Sequence, residues 1–172
     1  MKKYSIAAVI VLAITAVLFC VNSLGDGEQK IVLCYSDTDK IIASFEAEEG
    51  TEFSVEFIHS VNKSPVKDVF KVVNGELVAD RTVYSAFGAG VQTEIMDGQT
   101  LEFDENGNMV VSGFGTVFPR VDYLVGTVSD HILEIQGESI SLRDLCGRNA
   151  HVYFEIRDNR IINNRFWHNG KE

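Results

Sequence analysis

Strict alternation of apolar and polar side chains is the feature that most constrains the fold of this chain. In the segment Glu52–Phe57, every second residue is apolar. Because the side chains of a β-strand point alternately to opposite faces, this pattern predicts a strand with one buried face and one solvated face. Residues 131–135 and 152–156 repeat the pattern, and the apolar run 31–35 predicts a strand buried on both faces.

Asn-Gly pairs separate the short apolar runs. Asn74-Gly75 and Asn106-Gly107 each lie between two such runs. Asn-Gly readily adopts the positive φ angles that tight turns require, so both pairs predict β-hairpins. No stretch of ten or more residues after residue 25 shows the apolar period of a helix. We therefore expect an all-β domain, either an antiparallel β-sandwich or a partly closed β-barrel.

The N-terminus carries a long apolar run behind Lys2 and Lys3. The run, residues 5–24, is long enough for a spanning helix, which needs about 17–25 residues, and exceeds the usual signal-peptide core of about 7–15. The two lysines place the N-terminus inside the cell. Residues 1–25 are therefore expected to form one hydrophobic helix, a signal-anchor in the cytoplasmic membrane. Cleavage after Ser23, as in a signal peptide, is the alternative.

Residues 26–172 are expected to form a single extracytoplasmic β domain. All 25 acidic residues and 13 of the 15 basic residues lie in it, which gives a net charge of −12. A charge of that sign repels phosphate backbones, so nucleic-acid binding is not expected. The chain has no phosphate-binding glycine loop, no metal-binding cysteine spacing and no nucleophile elbow, so no cofactor or metal is expected.

Cys34 and Cys146 are the two cysteines of the external domain. Outside the cytoplasm such a pair can form a disulfide. Both cysteines have apolar neighbours, so two buried free thiols are an equal alternative.

The alternating pattern breaks in the segment 58–68, which follows the cleanest strand and contains one of the two prolines. Functional residues often lie at such interruptions. A catalytic interpretation would use Asp68 to orient His59, with Ser60 or Ser64 as the nucleophile. Adjacent residues of a strand point to opposite faces, however, which places Ser60 badly for His59. We therefore favour a structural role, in which His59 and Asp68 hydrogen-bond the loop and hold its ends close, and we assign no catalytic residue.

A second interruption is Gly88-Ala89-Gly90, where glycine permits a bulge or the close approach of another backbone. It lacks the third glycine of a dinucleotide-binding loop.

A metal site is a further hypothesis. His59 and His131, with Asp68 or Glu94, are suitable ligand types. Nothing in their spacing demands such a site.

Three elements together resemble a known family. They are His59-Ser60-Val61 followed by Ser64-Pro65-Val66 and Asp68, then Gly88-Ala89-Gly90, then Val125-Gly126 followed by His131-Ile132-Leu133. Over residues 30–145 the chain is similar to the bacterial family called domain of unknown function 1850. In that family a strand ends in an aromatic-x-His-Ser-Val step, followed by Ser/Thr-Pro-Val and an acidic residue. Asp68 stands at the acidic position, where the family more often has Glu.

The resemblance implies a small exported or membrane-anchored protein, encoded beside permeases of the tripartite ATP-independent periplasmic (TRAP) transporters that use TAXI-type solute receptors. We therefore expect a non-enzymatic accessory domain that docks on the transporter permease or its solute receptor. A small-ligand binder or hydrolase using His59, Ser60 and Asp68 is the alternative. The candidate functional residues are His59, Ser60, Val61, Ser64, Pro65, Val66, Asp68, Gly88, Ala89, Gly90 and His131.

A reporter fused after Glu172 tests the expected topology. Because Lys2 and Lys3 hold the N-terminus inside, alkaline phosphatase, which is active only outside the cytoplasm, is expected to be active at this position. A reporter that works only in the cytoplasm is the control and is expected to be silent. Activity of the cytoplasmic reporter would refute the topology.

Overall fold

A computed structural model describes residues 29–86 and 94–159. The chain divides into two compact units. One is Lys30–Arg157, which holds two β-sheets. The other combines Met1–Gln29 with Asp158–Glu172 and lies almost wholly outside the described residues.

Within the described ranges the chain forms twelve strands and one short helix. In chain order they are β1 (Gln29–Tyr35), β2 (Ile41–Glu46), β3 (Glu52–Ile58), β4 (Pro65–Val73), β5 (Glu76–Tyr84), β6 (Thr100–Phe103), β7 (Met109–Ser112), β8 (Val117–Phe118), β9 (Val121–Leu124), β10 (His131–Ile135), β11 (Glu138–Ser141), α1 (Leu142–Cys146) and β12 (His151–Asp158).

The strands are arranged in two antiparallel sheets. The smaller has the order β2-β1-β12-β9, and the larger has the order β11-β10-β3-β4-β5-β7-β6, with β8 also paired with β5. The larger sheet keeps two separate edges, β11 and β6, so it does not close into a barrel. The prediction of an all-β antiparallel domain is confirmed.

Helix α1 is only five residues long. The Oγ of Ser141 caps it by accepting the backbone N–H of Asp144 at 3.0 Å. In the part of the chain that the structure describes, no helix is long and apolar enough to span a membrane. The predicted hydrophobic helix in residues 1–25 lies outside the described residues.

The two sheets share one apolar core. The ring of Phe53 on β3 lies 5.2 Å from Phe70 on β4 and 5.0 Å from Phe154 on β12, which belongs to the other sheet. Val55, two residues further along β3, is fully buried. The face that the alternation predicts to be buried is therefore the inner face of the larger sheet.

Both predicted hairpins form, but by different turns. Asn74 and Gly75 have φ angles of 51° and 76°, the left-handed pair that a two-residue hairpin requires. At Asn106-Gly107 only the glycine takes the left-handed region, with a φ of 79°. There the Oδ1 of Asp104 accepts the backbone N–H groups two and four residues further on, both at 2.9 Å. The Asp104 side chain therefore shapes the second turn.

Cys34 and Cys146 are both buried, and neither is in a disulfide. Burial raises the pKa of the Cys146 thiol to about 11, so it stays protonated and behaves as a small apolar group. Of the two alternatives for this pair, the structure has the free thiols.

Truncation of Phe53 tests the core. The ring is 2 % exposed and contacts both sheets, so Phe53→Ala is expected to lower the free energy of unfolding by about 3–5 kcal/mol. Phe103→Ala is the control, because Phe103 is 58 % exposed, and it should cost far less. Denaturant titration of the full-length variants measures both. Equal effects of the two substitutions would contradict the assignment of Phe53 to the centre of the core.

Candidate functional site

The side chain of His59 closes the turn after β3. Its Nδ1 accepts the backbone N–H of Asn62 at 3.2 Å and lies 3.4 Å from the backbone nitrogen of Val61. The backbone adds two hydrogen bonds of 2.9 Å, from His59 N–H to the carbonyl of Ser64 and from Lys63 N–H to the carbonyl of His59. The ring nitrogen of His59 accepts a backbone N–H, as a side-chain oxygen of Asp or Asn does in other turns.

Asn62 connects this turn by a hydrogen bond to the segment that follows β5. Its Nδ2 donates to Ser64 Oγ at 2.8 Å and to the carbonyl of Ala86 at 3.1 Å. The Oγ of Ser85 donates to the carbonyl of Pro65 at 3.0 Å. β4 begins at Pro65, whose fixed φ favours a strand start there. The turn 58–64, here called the motif turn, is thus an ordered structure in which His59, Asn62 and Ser64 use their side chains in internal hydrogen bonds.

The structure separates the members of the hypothetical catalytic group. Ser60 is exposed at the tip of the turn. Asp68 lies three residues beyond Pro65 on β4, opposite Val55 of β3. The Asp68 oxygens accept hydrogen bonds from Thr82 and Tyr123, and the His59 ring bonds to the backbone of its own turn. His59, Ser60 and Asp68 therefore do not form a nucleophile–base–acid arrangement.

Asp68 lies on the inner face of the larger sheet. Its Oδ1 accepts a hydrogen bond from Thr82 Oγ1 on β5 at 3.0 Å, and its Oδ2 accepts one from the Tyr123 hydroxyl at 3.2 Å. Tyr123 belongs to β9 of the smaller sheet, so the second bond crosses between the sheets. Burial raises the pKa of the Asp68 carboxyl, and the two hydroxyl donors offset this only in part.

His131 joins the same group of side chains. Its ring stacks on Phe57 with a centroid distance of 5.2 Å and meets the ring of Tyr123 edge-on at 5.9 Å. Nδ1 accepts the backbone N–H of Gly126 at 3.2 Å, which places the proton of the neutral ring on Nε2. Burial lowers the pKa of His131, so the neutral form is favoured. We call Phe57, Asp68, Thr82, Tyr123 and His131 the Asp68 cluster.

Sequence reasoning missed Thr82 and Tyr123. Both lie in strands with no distinctive motif, and each contacts Asp68 across a strand or sheet boundary. One signal was available for Asp68 itself. If the alternation is continued from Val66 to Phe70, Asp68 falls on the buried face.

Asp130 fixes the loop that precedes His131. Its Oδ1 accepts the backbone N–H groups of His131 at 2.7 Å and of Arg143 at 3.1 Å, and its Oδ2 accepts the hydroxyl of Ser141 at 2.5 Å. Gly126 has no room for a side chain, because a Cβ there would lie 2.2 Å from the carbonyl oxygen of Ser129. These contacts fix the two ends of the loop 125–130.

No cluster of three or more potential metal-binding side chains (His, Cys, Asp or Glu) occurs among the described residues. The Nδ1 atoms of His59 and His131 both accept backbone N–H groups instead. Gly88, Ala89 and Gly90 lie outside the described ranges.

The chain matches, over residues 53–142, the family described as Domain of unknown function (DUF1850). The chain belongs to this family. Neither a curated protein nor a solved structure matches it. The DUF1850 match runs from β3 into the start of α1, so it includes the larger sheet, the motif turn and the whole Asp68 cluster. β1, β2 and β12 lie outside it.

Substitution of His59 separates a structural role from a functional one. His59→Ala removes the acceptor of the Asn62 N–H and is expected to lower the free energy of unfolding by about 1 kcal/mol, as for a lost helix cap. His59→Asn is the matched control, because an Asn oxygen can accept the same N–H, and it should retain most of the stability. Melting temperatures measure both. A His59→Ala variant as stable as the parent would indicate that the imidazole serves binding or catalysis instead.

Proposed function

We propose that this DUF1850 protein is an extracytoplasmic accessory domain, anchored in the cytoplasmic membrane, that docks on the permease of a TAXI-type TRAP transporter. The observation that carries the proposal is the exposure of apolar side chains at one end of the larger sheet. There the side chains of His59, Asn62 and Ser64 are used in internal hydrogen bonds, while apolar side chains are exposed.

We call this region the motif end, formed by the turn 58–64 and the loop 125–130. The two segments are neighbours because β3 and β10 pair, with Phe57 opposite His131. Val61 is 65 % exposed, Val128 is 93 % exposed, and Ile58, the last residue of β3, is 37 % exposed. Apolar side chains held on an ordered rim are typical of surfaces that bind another protein.

The order of this rim lowers the cost of binding. The His59 and Asn62 hydrogen bonds hold the turn that carries Val61, and the Asp130 hydrogen bonds fix the end of the loop that carries Val128. Little conformational entropy is then lost when a partner binds, so a small apolar surface contributes more to affinity.

The permease is the favoured partner because of the expected anchor. Only residues 25–28 separate the apolar run 5–24 from β1. A chain of four residues spans at most about 14 Å, so an anchored domain remains at the membrane surface. A permease presents its external loops at that surface, and the family resemblance points to the same class of transporter.

The alternative function, a hydrolase or ligand site built from His59, Ser60 and Asp68, has less support. His59 Nδ1 is occupied by a backbone N–H, and Asp68 lies in another part of the sheet. A catalytic site would require these groups to converge on one substrate position.

Cross-linking in native membranes tests the docking proposal. The full chain is cross-linked in intact membranes, and captured proteins are identified by mass spectrometry. The expected product contains a TRAP permease. Val61→Glu and Val128→Glu place a charge in the proposed interface and should each reduce capture by about tenfold.

Val117→Glu is the matched control. Val117 is 47 % exposed but pairs with β5 at Val78, towards the opposite end of the larger sheet. Its capture should equal that of the parent. Undiminished capture by both motif-end variants would overturn the proposed surface. Capture of the solute receptor without the permease would overturn the choice of partner.

A further inference from the structure

A second feature of the larger sheet is a cavity beside Asp68. The cavity has a volume of about 230 Å³ and lies between β4, β5 and the segment 114–118. Its wall includes Asp68 and Thr82 together with the aromatic residues Phe70, Phe114 and Phe118. It is separate from the motif end, because neither His59 nor His131 lines it.

The carboxylate in this cavity is only partly satisfied by the protein. Its described partners are two neutral hydroxyl groups, those of Thr82 and Tyr123. A carboxylate has about four acceptor positions, so two remain. Among the described residues, no lysine or arginine forms an ion pair with Asp68. A half-buried negative charge without a cation is costly, and a cation entering the cavity would reduce that cost.

The aromatic walls favour the same type of ligand. Phe118 meets Phe70 edge-on, with ring centroids 6.2 Å apart and an interplanar angle of 87°. The face of an aromatic ring is electron-rich and attracts ammonium groups. A carboxylate beside phenyl rings therefore suits an organic cation with an apolar body.

Arg81 also borders the cavity, but its charge is already neutralised. Its guanidinium pairs with Asp80 and, at 3.1 Å, with Glu52. An anionic ligand would thus meet the Asp68 carboxylate without a free cation to compensate it. The net charge of −12 on residues 26–172 further raises the local concentration of cations.

We infer that this cavity binds a small primary amine in its protonated form, with the ammonium group on Asp68 and the apolar body against Phe70, Phe114 and Phe118. The volume is below the range of about 300–1,000 Å³ of sites for drug-sized molecules, so the ligand is a small monoamine. This site is independent of the proposed docking function.

Calorimetric titration of the full chain with phenethylamine tests the site. Phenethyl alcohol has the same shape without the charge and should bind at least about tenfold more weakly, as expected for loss of an ionic hydrogen bond. Phenylacetate, which carries the opposite charge, should not bind. Equal affinity for the amine and the alcohol, or no binding of the amine, would overturn the proposal.

Two substitutions assign the binding to this cavity. Asp68→Asn removes the charge and should weaken amine binding at least about tenfold. Glu102→Gln changes the overall charge equally at an exposed position on β6 and should leave the affinity unchanged. Phe114→Leu keeps the apolar lining without the ring and should weaken binding about two- to fivefold. Parental affinity in Asp68→Asn would overturn the inference.

Stability of Asp68→Asn is checked by its melting temperature. A carboxyl group whose pKa is raised in the folded state disfavours folding at pH values above that pKa, so the neutral variant should melt at or above the parent temperature at pH 7. If Asp68→Asn does not fold, the amine affinity of Phe114→Leu tests the inference instead. Parental affinity in Phe114→Leu would then overturn the inference.

The pH dependence gives an independent readout. Amine binding needs the Asp68 carboxylate, whose pKa burial raises above the ordinary 3.8. Affinity should be constant above the raised pKa and fall as the pH drops through it, while the amine stays protonated throughout. Affinity that declines only below the ordinary value would point to a surface carboxylate and contradict the assignment to Asp68.

Discussion

The ring of Phe53 lies where the two sheets meet, in contact with Phe70 of its own sheet and Phe154 of the other. Successive side chains of a strand point to opposite faces. The inward position of Phe53 therefore fixes which side chains of β3 face the core and which face away from it. The neighbouring strands follow in register: Phe70 of β4 and Ile135 of β10 both lie opposite Phe53. A slip of one residue would expose the apolar face of the central strands, so burial of this ring specifies the pairing on both sides.

Local patterns predicted the strands and turns well, because these depend on neighbouring residues. The alternation of β3 is visible in six consecutive residues, and the Asn74-Gly75 turn in two. The division into two sheets could not be predicted in this way. β10 pairs with β3 although more than seventy residues separate His131 from its partner Phe57, and that choice depends on packing across the core.

The same distinction applies to the candidate site. The role of His59 is local, since its ring bonds to a backbone group three residues further on, and a side-chain-to-backbone interaction was the favoured interpretation. Asp68, nine residues after His59, was expected at the far end of the loop 58–68, where the two side chains would hold the loop. The structure puts it inside β4, where its partners come from β5 and β9. Neither Thr82 nor Tyr123 is close to Asp68 in sequence, so only the tertiary fold identifies them.

An acidic side chain at position 68 interrupts an inner face that is otherwise made of Val66, Phe70 and Val72. One explanation is alignment of the two sheets, since the hydroxyl of Tyr123 reaches across to the Asp68 carboxyl. Alignment requires an acceptor, however, and not a charge: the neutral amide of Asn offers an oxygen at the same position without the desolvation penalty of a carboxylate. Burial raises the pKa of the Asp68 carboxyl, and the two hydroxyl donors offset that effect only in part. The negative charge itself therefore calls for a function, and Asp68 borders the aromatic cavity described above.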